Sequence, residues 1–530
     1  MHRSSILFLL SYFLVTLLLF AESPDSGSER PETYFRFIIK SREELREITR
    51  IISIDNVIGD TVYAYANSKE FRQFEALGKT AEILTPPSLK YKPKMSDTIG
   101  KSQSWDSYPT YDTYRNMMIQ FGKDYPGICR IDSVGQSVEG RALLFAVISD
   151  NVQKEEAEPE VMFTSTMHGD ETTGYILMLR LIDYLLTNYQ SDQQVTDLVE
   201  NLEIWINPLA NPDGTYYNGD TTVYGATRYN ANAVDLNRNF PSPAEGEHPD
   251  DNLWQPETVA MMELSERQNF ILSANFHGGA ELLNYPWDCW ERRHADDEWL
   301  IRLCRQYAET AQANSPAGYL TDMNNGITNG WDWYLTFGNR QDYMTYYRHC
   351  REVTIEISDT KLLPASELSA HWDYNRNALL NYLSAALTGI RGEIRTDLEL
   401  GEMQISIVGH ESDNSWIVPD ENFGDYYRLS LPGVYQLEIA SGSELITIED
   451  ISIGNEPSVI VNVITGTTIP GDVNGDNDIN IADVLLIQNY ITGQMIPGDT
   501  EFDMADWNND GILNQYDLDG ILQFLLNLYP

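Results

Sequence analysis

The sequence predicts an α/β protein whose main domain holds a mostly parallel or mixed sheet with helices on both faces. In residues 108–388, short apolar segments such as VMFTST, ILSANF and VTIEI alternate with amphipathic stretches such as GYILMLRLIDYLLTNY. Strands that alternate with helices indicate a sheet that is buried on both faces. A chain of 530 residues is also longer than one core usually serves, so we expect further, smaller domains.

Residues 1–23 are typical of a cleaved export signal. Arg3 precedes an apolar run from Ile6 to Phe20, and small residues follow. The run is shorter than the roughly 20 residues that a membrane-spanning helix needs, although an N-terminal anchor is the alternative interpretation. We therefore expect a secreted, extracellular protein with no membrane span once the signal has been removed.

The composition is strongly acidic. Thirty-five basic and 80 acidic residues give a formal net charge of -45. Sequence-independent binding to nucleic acid depends on Lys and Arg neutralising phosphates, so this composition argues against a nucleic acid partner.

Four cysteines are present, and they do not form a zinc-type cluster. They are Cys129, Cys289, Cys304 and Cys350. In an exported chain they permit disulfides, and buried free thiols are an equally good interpretation.

Residues 33–86 are expected to form a small N-terminal α/β unit. Strand-like stretches (TYFRFIIK, DTVYAYA, AEILT) alternate there with helix-like ones (SREELREITRI, KEFRQFEALG). A polar linker, residues 87–107, separates the unit from the main domain. Two interpretations stay open: a module that supports folding or stability, and a pro-segment that covers a cleft of the main domain.

Two further units follow the main domain. In residues 389–464, short alternating segments lie between turn residues, which predicts a small antiparallel β-sandwich. Residues 470–528 contain a repeat: DVNGDNDINIAD from Asp472 and DWNNDGILNQYD from Asp506. An apolar helix-like stretch follows each copy, so we expect an EF-hand-like helical unit.

His168, Glu171 and His277 are candidate ligands of one zinc ion. His168 and Glu171 lie in HGDE directly after the strand VMFTST, and His277 ends the strand ILSANF. In sheets of this kind, bound molecules and ions lie outside the carboxyl ends of the strands. Catalytic zinc is coordinated by three protein residues, which are His, Asp or Glu. The remaining histidines lie in predicted loops, in helices or in the signal, where an exposed or hydrogen-bonded role is the better interpretation: His2, His248, His294, His349, His371 and His410.

A set of motifs runs through the main domain. They are NPDG at Asn211, RYNANAVDLNRNFP from Arg228, FHGG around His277, NYPWD ending at Asp288, ITNGWDWY ending at Tyr334, and EVTIEIS containing Glu356. Together they resemble the zinc carboxypeptidases of the carboxypeptidase A family, and within it the regulatory branch of carboxypeptidases N, E and D. The sandwich, which begins GIRGEI, is similar to the transthyretin-like domain of that branch.

The resemblance implies a peptidase that removes single residues from the C-termini of peptides or proteins with one catalytic zinc. It makes Glu356 the general base and then the acid for the leaving amine. Strand alternation agrees, because Glu356 faces away from Ile355 and Ile357. The resemblance also makes Arg228 the residue that stabilises the oxyanion.

Substrate recognition also follows from the resemblance. Asn237 and Arg238 match the residues that bind the terminal carboxylate, and Tyr334 closes over it. Asp288 and Gln341 match the positions that bind a C-terminal Lys or Arg, so we expect a preference for basic ends. The chain departs from the branch pattern at Arg340, in GNRQD, and pairing of Arg340 with Asp288 would neutralise this pocket.

The C-terminal repeat has the spacing of two calcium loops. Side-chain oxygens at positions 1, 3, 5 and 12 and a carbonyl at position 7 suit calcium. The predicted ligands of two structural ions are Asp472, Asn474, Asp476, Asp478 and Asp483 in one loop and Asp506, Asn508, Asp510, Ile512 and Asp517 in the other. The repeat resembles a type I dockerin, which implies a cohesin partner on a scaffold or surface protein. The enzyme would then be attached to a cell surface or a multi-enzyme complex.

Two other functions stay open at this point. One is hydrolysis of cell-wall peptides or acyl-amino acids by a relative with the same fold. The other is an inactive, carboxypeptidase-like binding module, against which the presence of Glu356 and three candidate ligands argues.

Overall fold

The computed structural model of the protein describes residues 30–396, 398–454, 457–465, 469–476, 478–508 and 510–528. The predicted signal, residues 1–23, lies outside these ranges. Among the described residues, no helix has the length and apolarity to cross a membrane.

The N-terminal unit is a four-stranded antiparallel sheet with two helices. Its strands lie in the order β2-β3-β1-β4. Their bounds are β1 (Thr33–Ile38), β2 (Ser53–Ile58), β3 (Thr61–Ala66) and β4 (Glu82–Ile83), and the helices are α1 (Arg42–Ile48) and α2 (Ser68–Ala76). Asn67 and Glu70 form a capping box that starts α2.

The segment after this unit packs on the main domain. It contains a 3-10 turn (Pro87–Leu89), β5 (Met95–Ser96), α3 (Ile99–Ser102) and β6 (Tyr108–Pro109). Ser88 is buried and donates to the carbonyl of Ala226 at 2.6 Å, and the hydroxyl of Tyr108 donates to the carbonyl of Leu363 at 2.8 Å.

The main domain is built on an eight-stranded mixed sheet. The order is β13-β12-β14-β11-β9-β10-β8-β7. The bounds are β7 (Cys129–Gln136), β8 (Ala142–Ile148), β9 (Glu160–Ser165), β10 (Glu203–Asn207), β11 (Phe270–His277), β12 (Ala280–Tyr285), β13 (Ile327–Asn329) and β14 (Arg351–Ser358). The pairs β9–β10, β9–β11, β11–β14 and β12–β13 are parallel, and the pairs β7–β8, β8–β10 and β12–β14 are antiparallel.

Helices cover both faces of this sheet, as predicted. They are α4 (Tyr111–Asp124), α5 (Thr173–Asn188), α6 (Gln193–Val199), α7 (Pro212–Thr215), α8 (Pro256–Arg267), α9 (Asp297–Ala313), α10 (Asp322–Asn325), α11 (Gly330–Trp333), α12 (Arg340–Tyr347) and α13 (Leu368–Ser384). Alternation along β9 sends Phe163 into the core under α5, α9 and α13, and Met162 into the core under α8 and α12. The central strands are therefore buried on both sides.

The β-sandwich contains β15 (Gly389–Arg395), β16 (Gln404–Ile407), β17 (Asp425–Arg428), β18 (Gly433–Ser441), β19 (Glu444–Ile453), β20 (Ser458–Ile460) and β21 (Val463–Ile464). One sheet has the order β16-β18-β19, and the other is centred on β15. The expected antiparallel arrangement is wrong for β20 and β21, which run parallel to β15. Between β15 and β20 the chain passes through the other sheet. A long crossover connection of this kind allows the two strands to run in the same direction.

The C-terminal repeat forms α14 (Ile481–Ile491), α15 (Asp499–Ala505) and α16 (Gln515–Leu528). The helices α14 and α16 follow the two predicted calcium loops. Their apolar faces enclose a small core that contains Ile487 and Ile521.

Candidate metal centre and substrate cleft

The candidate ligands come from the ends of two adjacent parallel strands. His168 and Glu171 lie in the loop between β9 and α5, and His277 is the last residue of β11. Because β9 and β11 are paired in parallel, their carboxyl ends meet at the same edge of the sheet. All three side chains are buried there.

Four side-chain atoms converge at this edge. His168 Nδ1 lies 3.0 Å from Glu171 Oε1, and His277 Nδ1 lies 2.8 Å from Glu171 Oε2. The two Nδ1 atoms are 3.1 Å apart. Among the described residues, His168, Glu171 and His277 form the group whose ligand atoms lie close enough together to hold one metal ion.

The hydrogen bonds around His168 fit a bound zinc ion. A carboxylate can only accept, so Asp235 Oδ1, 3.0 Å away, accepts from Nε2–H of His168. With zinc bound, Nε2–H would keep this bond and Nδ1, 3.0 Å from Glu171 Oε1, would be the atom of His168 that ligates the ion. Burial lowers the pKa of His277 to about 4, so this ring is neutral, as a zinc ligand must be.

The NPDG motif holds the loop that carries His168 and Glu171. Asn211 Nδ2 donates to the carbonyls of Met167 at 3.2 Å and Arg228 at 3.3 Å. A Cβ atom on Gly169 would lie 2.4 Å from the backbone of Gly214. The two loops therefore approach so closely that only glycine fits at position 169.

Glu356 points into the same cleft from β14. Its Oε2 atom has no hydrogen-bond partner among the described residues. Burial, and then the negative charge of Glu171, raise the pKa of Glu356 well above its usual value. A divalent cation at the three ligands would favour the ionised carboxylate.

Arg228 and Asp235 link the metal site to the floor of the cleft. Arg228 Nε donates to Asp235 Oδ2 at 3.0 Å, and its Nη1 lies 3.4 Å from Glu171 Oε1. Asp235 thus orients both a ligand and the candidate oxyanion-binding arginine. Sequence reasoning missed Asp235, although it is the first residue of the DLNRN segment.

Arg238 presents unused donors to the cleft. Its side chain is buried, Nη1 donates to the carbonyl of Asn237 at 2.7 Å, and Nε and Nη2 have no partner among the described residues. Tyr334 lines the same cleft, and burial raises its pKa to about 12. A buried guanidinium with free donors is suited to a carboxylate ligand.

Asp288 lines part of the same cleft, the candidate pocket for the last side chain of a substrate. Its Oδ1 accepts from Asn284 Nδ2 at 2.9 Å and from Gln341 Nε2 at 3.2 Å. A Cβ atom on Gly330 would lie 1.5 Å from this oxygen, so glycine there makes the room that Asp288 occupies. Burial, and then the charge of Asp342, raise the pKa of Asp288 well above its usual value.

Arg340 does not neutralise this pocket. It is fully buried, and its Nε donates to both oxygens of Glu352, at 2.9 and 3.1 Å. Its Nη1 donates to Thr164 Oγ1. The alternative in which Arg340 pairs with Asp288 is therefore wrong, because Glu352 and Thr164 hold the guanidinium.

The N-terminal unit places a carboxylate over the metal site, which the sequence did not indicate. Asp55 Oδ1 lies 2.6 Å from Lys361 Nζ and 3.9 Å from Arg228 Nη1. Lys361 Nζ also donates to Glu171 Oε1 at 3.0 Å. Asp55 lines the cleft together with the ligands, and the space left inside is about 30 Å³. Such a volume holds a few water molecules and no amino-acid residue.

The other histidines and the cysteines lie apart from this site. His294 is buried near Asp296, and His410 Nε2 lies 2.8 Å from Asp296 Oδ1, at the contact between the main domain and the sandwich. All four cysteines are buried free thiols, which settles the two interpretations in favour of thiols.

The two calcium loops are closed by their own acidic side chains. In the first, Asp472 Oδ1 accepts from Asp476 N at 3.0 Å, and Asp483 Oδ1 accepts from Asn474 N at 3.0 Å. In the second, Asp506 Oδ1 accepts from Asp510 N at 3.1 Å. Burial and the neighbouring carboxylates raise the pKa of Asp483, and also that of Asp517. Converging negative charges of this kind fit a bound calcium ion.

Comparison with known proteins agrees with this geometry. The profile described as "Zinc carboxypeptidase" matches residues 114–378, and the profile described as "Dockerin type I domain" matches residues 470–526. Carboxypeptidase SOL1 of Arabidopsis thaliana is 38% identical over 62% of this chain and 65% of its own length. The catalytic chain of human carboxypeptidase N is 33% identical over 68% of this chain and 86% of its own.

Solved structures share the fold. The crystal structure of thrombin activatable fibrinolysis inhibitor covers 67% of this chain and 98% of its own, with a TM-score of 0.52 and 17% identity. The carboxypeptidase A of Helicoverpa armigera gives a TM-score of 0.51, 16% identity and the same two coverages.

The relatives are not matched over equal shares of their length. Human carboxypeptidase D is 34% identical over 77% of this chain and only 29% of its own length, and the Arabidopsis relative is covered for less than two thirds. The part that matches the zinc carboxypeptidase profile contains the candidate zinc ligands, Glu356 and the cleft, and its metal is zinc. The metal of the C-terminal repeat is calcium. The chain belongs to the zinc carboxypeptidase family.

Proposed function

We propose that this chain is a zinc-dependent exopeptidase that hydrolyses the C-terminal peptide bond of peptides or proteins. The observation that carries the proposal is the composition of one cleft. Three candidate zinc ligands line it together with Glu356 and Arg238. Among the described residues, Oε2 of Glu356 and two donors of Arg238 have no hydrogen-bond partner. An endopeptidase has no need for a buried cation that binds a chain terminus.

The residues of the cleft divide the chemistry among them. Bound zinc would supply a Lewis acid that polarises the scissile carbonyl and acidifies water. Glu356 accepts the proton of the attacking water and returns it to the leaving amine. Arg228 stabilises the negative charge that develops on the carbonyl oxygen.

Arg238 selects a free C-terminus. Its unpartnered Nε and Nη2 are the donors for the terminal carboxylate, and Asn237 and Tyr334 flank them. A bidentate guanidinium–carboxylate pair in a dry site discriminates strongly against an internal peptide bond. This step explains why single residues are removed from the end.

The pocket of Asp288 favours a C-terminal Arg or Lys. Arg340 does not compete for Asp288 because Glu352 engages it, and Gln341 Nε2 donates to the Asp288 carboxyl group. A cationic substrate side chain beside Asp288 would favour the ionised form against the burial that raises its pKa. The pocket is closed to water by burial, so an ion pair formed there is strong. A C-terminal Leu or Phe would leave the Asp288 carboxyl without a partner of opposite charge.

The N-terminal unit, residues 33–86, acts as a pro-segment. Asp55 occupies the space between Lys361 and Arg228, and Tyr65 donates to Asp170 Oδ2 at 2.8 Å beside the metal ligands. The 30 Å³ cleft leaves no room for substrate while the unit is docked. The intact chain is therefore latent until the unit moves away or is cut off.

The C-terminal repeat attaches the enzyme to a cohesin-bearing scaffold or surface protein outside the cell. The match of residues 470–526 to the dockerin profile supports this proposal, as does the export-type N-terminus. Attachment raises the effective concentration of the enzyme near its substrates. Loss of cohesin binding when calcium is chelated is the expected result of a pull-down with cohesin modules.

The deciding experiment measures amino-acid release from peptides ending in Arg, Lys, Leu or Phe. It uses the intact chain and the chain after limited proteolysis, each with and without a zinc chelator. We expect Arg and Lys to be released by the processed chain, with loss of activity in chelator and recovery on adding zinc. Release from muropeptides alone, or no release from any substrate, would overturn the proposal.

A further inference from the structure

A tryptophan of the second calcium loop contacts an arginine of the β-sandwich. The guanidinium carbon of Arg395 lies 3.7 Å from the centre of the Trp507 ring. Its Nη1 also donates to the carbonyl of Trp507 at 3.3 Å. Arg395 is the last residue of β15, and Trp507 directly follows the predicted calcium ligand Asp506. The contact therefore joins the edge of the sandwich to the backbone of a calcium loop.

Trp507 is held in place by the loop itself. Its backbone N–H donates at 2.9 Å to Oδ1 of Asp517, the last ligand position of the same loop. Its ring lies against two glycines, because a Cβ on Gly520 would come within 2.3 Å of it and a Cβ on Gly471 within 2.7 Å. The position of this ring depends on a closed loop and on the pairing of the two repeat copies.

Arg395 is equally well positioned on the sandwich side. Its Nη2 donates to Glu393 Oε2 at 2.6 Å, and its side chain is 15% exposed. Its backbone carbonyl accepts from Thr465 N at 3.0 Å, where β21 pairs with β15. The guanidinium thus presents its flat face to the tryptophan from a fixed point of the sheet.

The second loop brings two predicted calcium ligands together: Asp506 Oδ1 accepts from Asp510 N at 3.1 Å, and Asp517 Oδ1 accepts from Trp507 N at 2.9 Å. A bound cation offsets the repulsion between these two carboxylates and so stabilises the closed loop. An open loop moves the Trp507 carbonyl and ring away from Arg395. Calcium binding and the contact with the sandwich are therefore coupled.

We propose that Arg395 and Trp507 form a calcium-dependent joint that fixes the dockerin repeat against the β-sandwich. With calcium in the second loop the repeat has one orientation relative to the β-sandwich, and without calcium the contact between Arg395 and Trp507 no longer fixes that orientation. The joint leaves other apolar side chains of the repeat exposed for a partner: Ile481, Leu485, Tyr516 and Leu526. The inference rests on calcium binding by the repeat and is independent of peptidase activity.

Linkage makes the coupling reciprocal, so loss of the contact must weaken calcium binding. A cation–π contact of this kind stabilises by about 0.5–2 kcal/mol, which corresponds to about 2- to 30-fold in affinity. The substitution Arg395→Ala in the full chain should lower calcium affinity at one of the two sites by that factor. Arg391→Ala, on the same strand, is the control and should leave both sites unchanged.

Small-angle scattering of the full chain tests the joint directly. We expect a longer maximum dimension for the wild type in EGTA than in calcium, and the same increase for Arg395→Ala in calcium. Asp517→Asn, in the second loop, should also extend the molecule in calcium, whereas Arg391→Ala should leave it as compact as the wild type. A wild type with equal dimensions in calcium and EGTA would overturn the proposal. So would an Arg395→Ala variant that is as compact as the wild type and binds calcium as tightly.

Discussion

His277 and Glu356 are register partners in the adjacent parallel strands β11 and β14. A metal ligand and the proposed general base therefore lie side by side at the carboxyl edge of the sheet. A shift of the register by one residue would turn one of the two side chains to the opposite face. The two side chains are thus positioned by the pairing of two buried strands.

Replacement of Glu356 with Gln should remove catalysis and leave the metal site intact. The amide cannot accept the proton of water, so we expect kcat to fall by about 10²–10⁴. Peptide hydrolysis by the processed enzyme and zinc content by atomic absorption are the measurements. The exposed Glu309 provides the control Glu309→Gln, and normal turnover by the Glu356→Gln variant would exclude this residue as the base.

Replacement of Asp235 with Asn should weaken zinc binding. The Asp235 carboxylate accepts from His168 Nε2 and so directs Nδ1 to the ion. Loss of such a supporting carboxylate costs about 10- to 100-fold in metal affinity. Competition with a chromophoric chelator measures this value, and an unchanged zinc affinity would contradict the proposed role.

Replacement of Asp288 with Asn should change the specificity of the enzyme. A hydrogen-bonded charge pair is worth about 1.5–3 kcal/mol, so kcat/KM for Arg-ending peptides should fall about 10- to 100-fold. Leu-ending peptides should change by no more than a few fold. An equal loss for both substrate classes would show that Asp288 has only a structural role.

Replacement of Arg340 with Met should lower stability without this change of specificity. The substitution leaves the buried Glu352 carboxylate without its partner. The cost of such an unpaired charge is about 3–5 kcal/mol of the free energy of unfolding. Thermal unfolding measures the loss, while the ratio of Arg to Leu release from folded enzyme should stay close to that of the wild type.

Replacement of Asp55 with Ala should raise the activity of the intact, unprocessed chain. The substitution removes the carboxylate that bridges Lys361 and Arg228, and losing one partner of a buried charge pair weakens docking by about 2–5 kcal/mol. We expect an increase of about 10-fold or more before proteolysis and no increase after it. The exposed Asp60 gives the control Asp60→Ala, and equal basal activities of the wild type and Asp55→Ala would argue against inhibition by this residue.

The docked N-terminal unit should be released more easily as the pH rises from about 4.5 to above about 7. Burial raises the pKa of Glu70 from its usual 4.5 to about 7 while it accepts from Tyr229 of the main domain at 2.9 Å. The docked state therefore binds the proton more tightly than the released state does. Docking is strongest below the usual pKa and weakens as the pH passes the raised one.

The test is the rate at which the intact chain gains activity between pH 5 and pH 8 with a fixed amount of protease. In the wild type this rate, corrected for protease activity, should increase with pH. Glu70→Gln stays uncharged and should give a flatter profile. Identical profiles for the two proteins would assign the pH dependence to other groups.

Much of this protein was predictable because its patterns are local. The apolar strands running into His168 and His277, the alternation that turns Glu356 away from the core, and the duplicated acidic loops follow from periods of two residues and from fixed spacings. The sandwich was identified in the same way, but the direction of β20 and β21 was not. Strand direction depends on how the chain crosses between sheets, which no short pattern records.

Contacts between distant segments were decided by the tertiary structure. The sequence left open whether Arg340 would neutralise Asp288, and burial beside Glu352 and Thr164 decided that it does not. Asp55 meets the metal site because the N-terminal unit folds against one edge of the sheet, and Asp235 and Lys361 meet it because distant loops of the main domain do. By itself, the sequence determined which residue types are available and which faces of the strands they occupy. The pairing of buried charges depends on three-dimensional distance, because a buried charge needs an opposite charge nearby to offset the cost of desolvation. That partner is rarely close in the sequence.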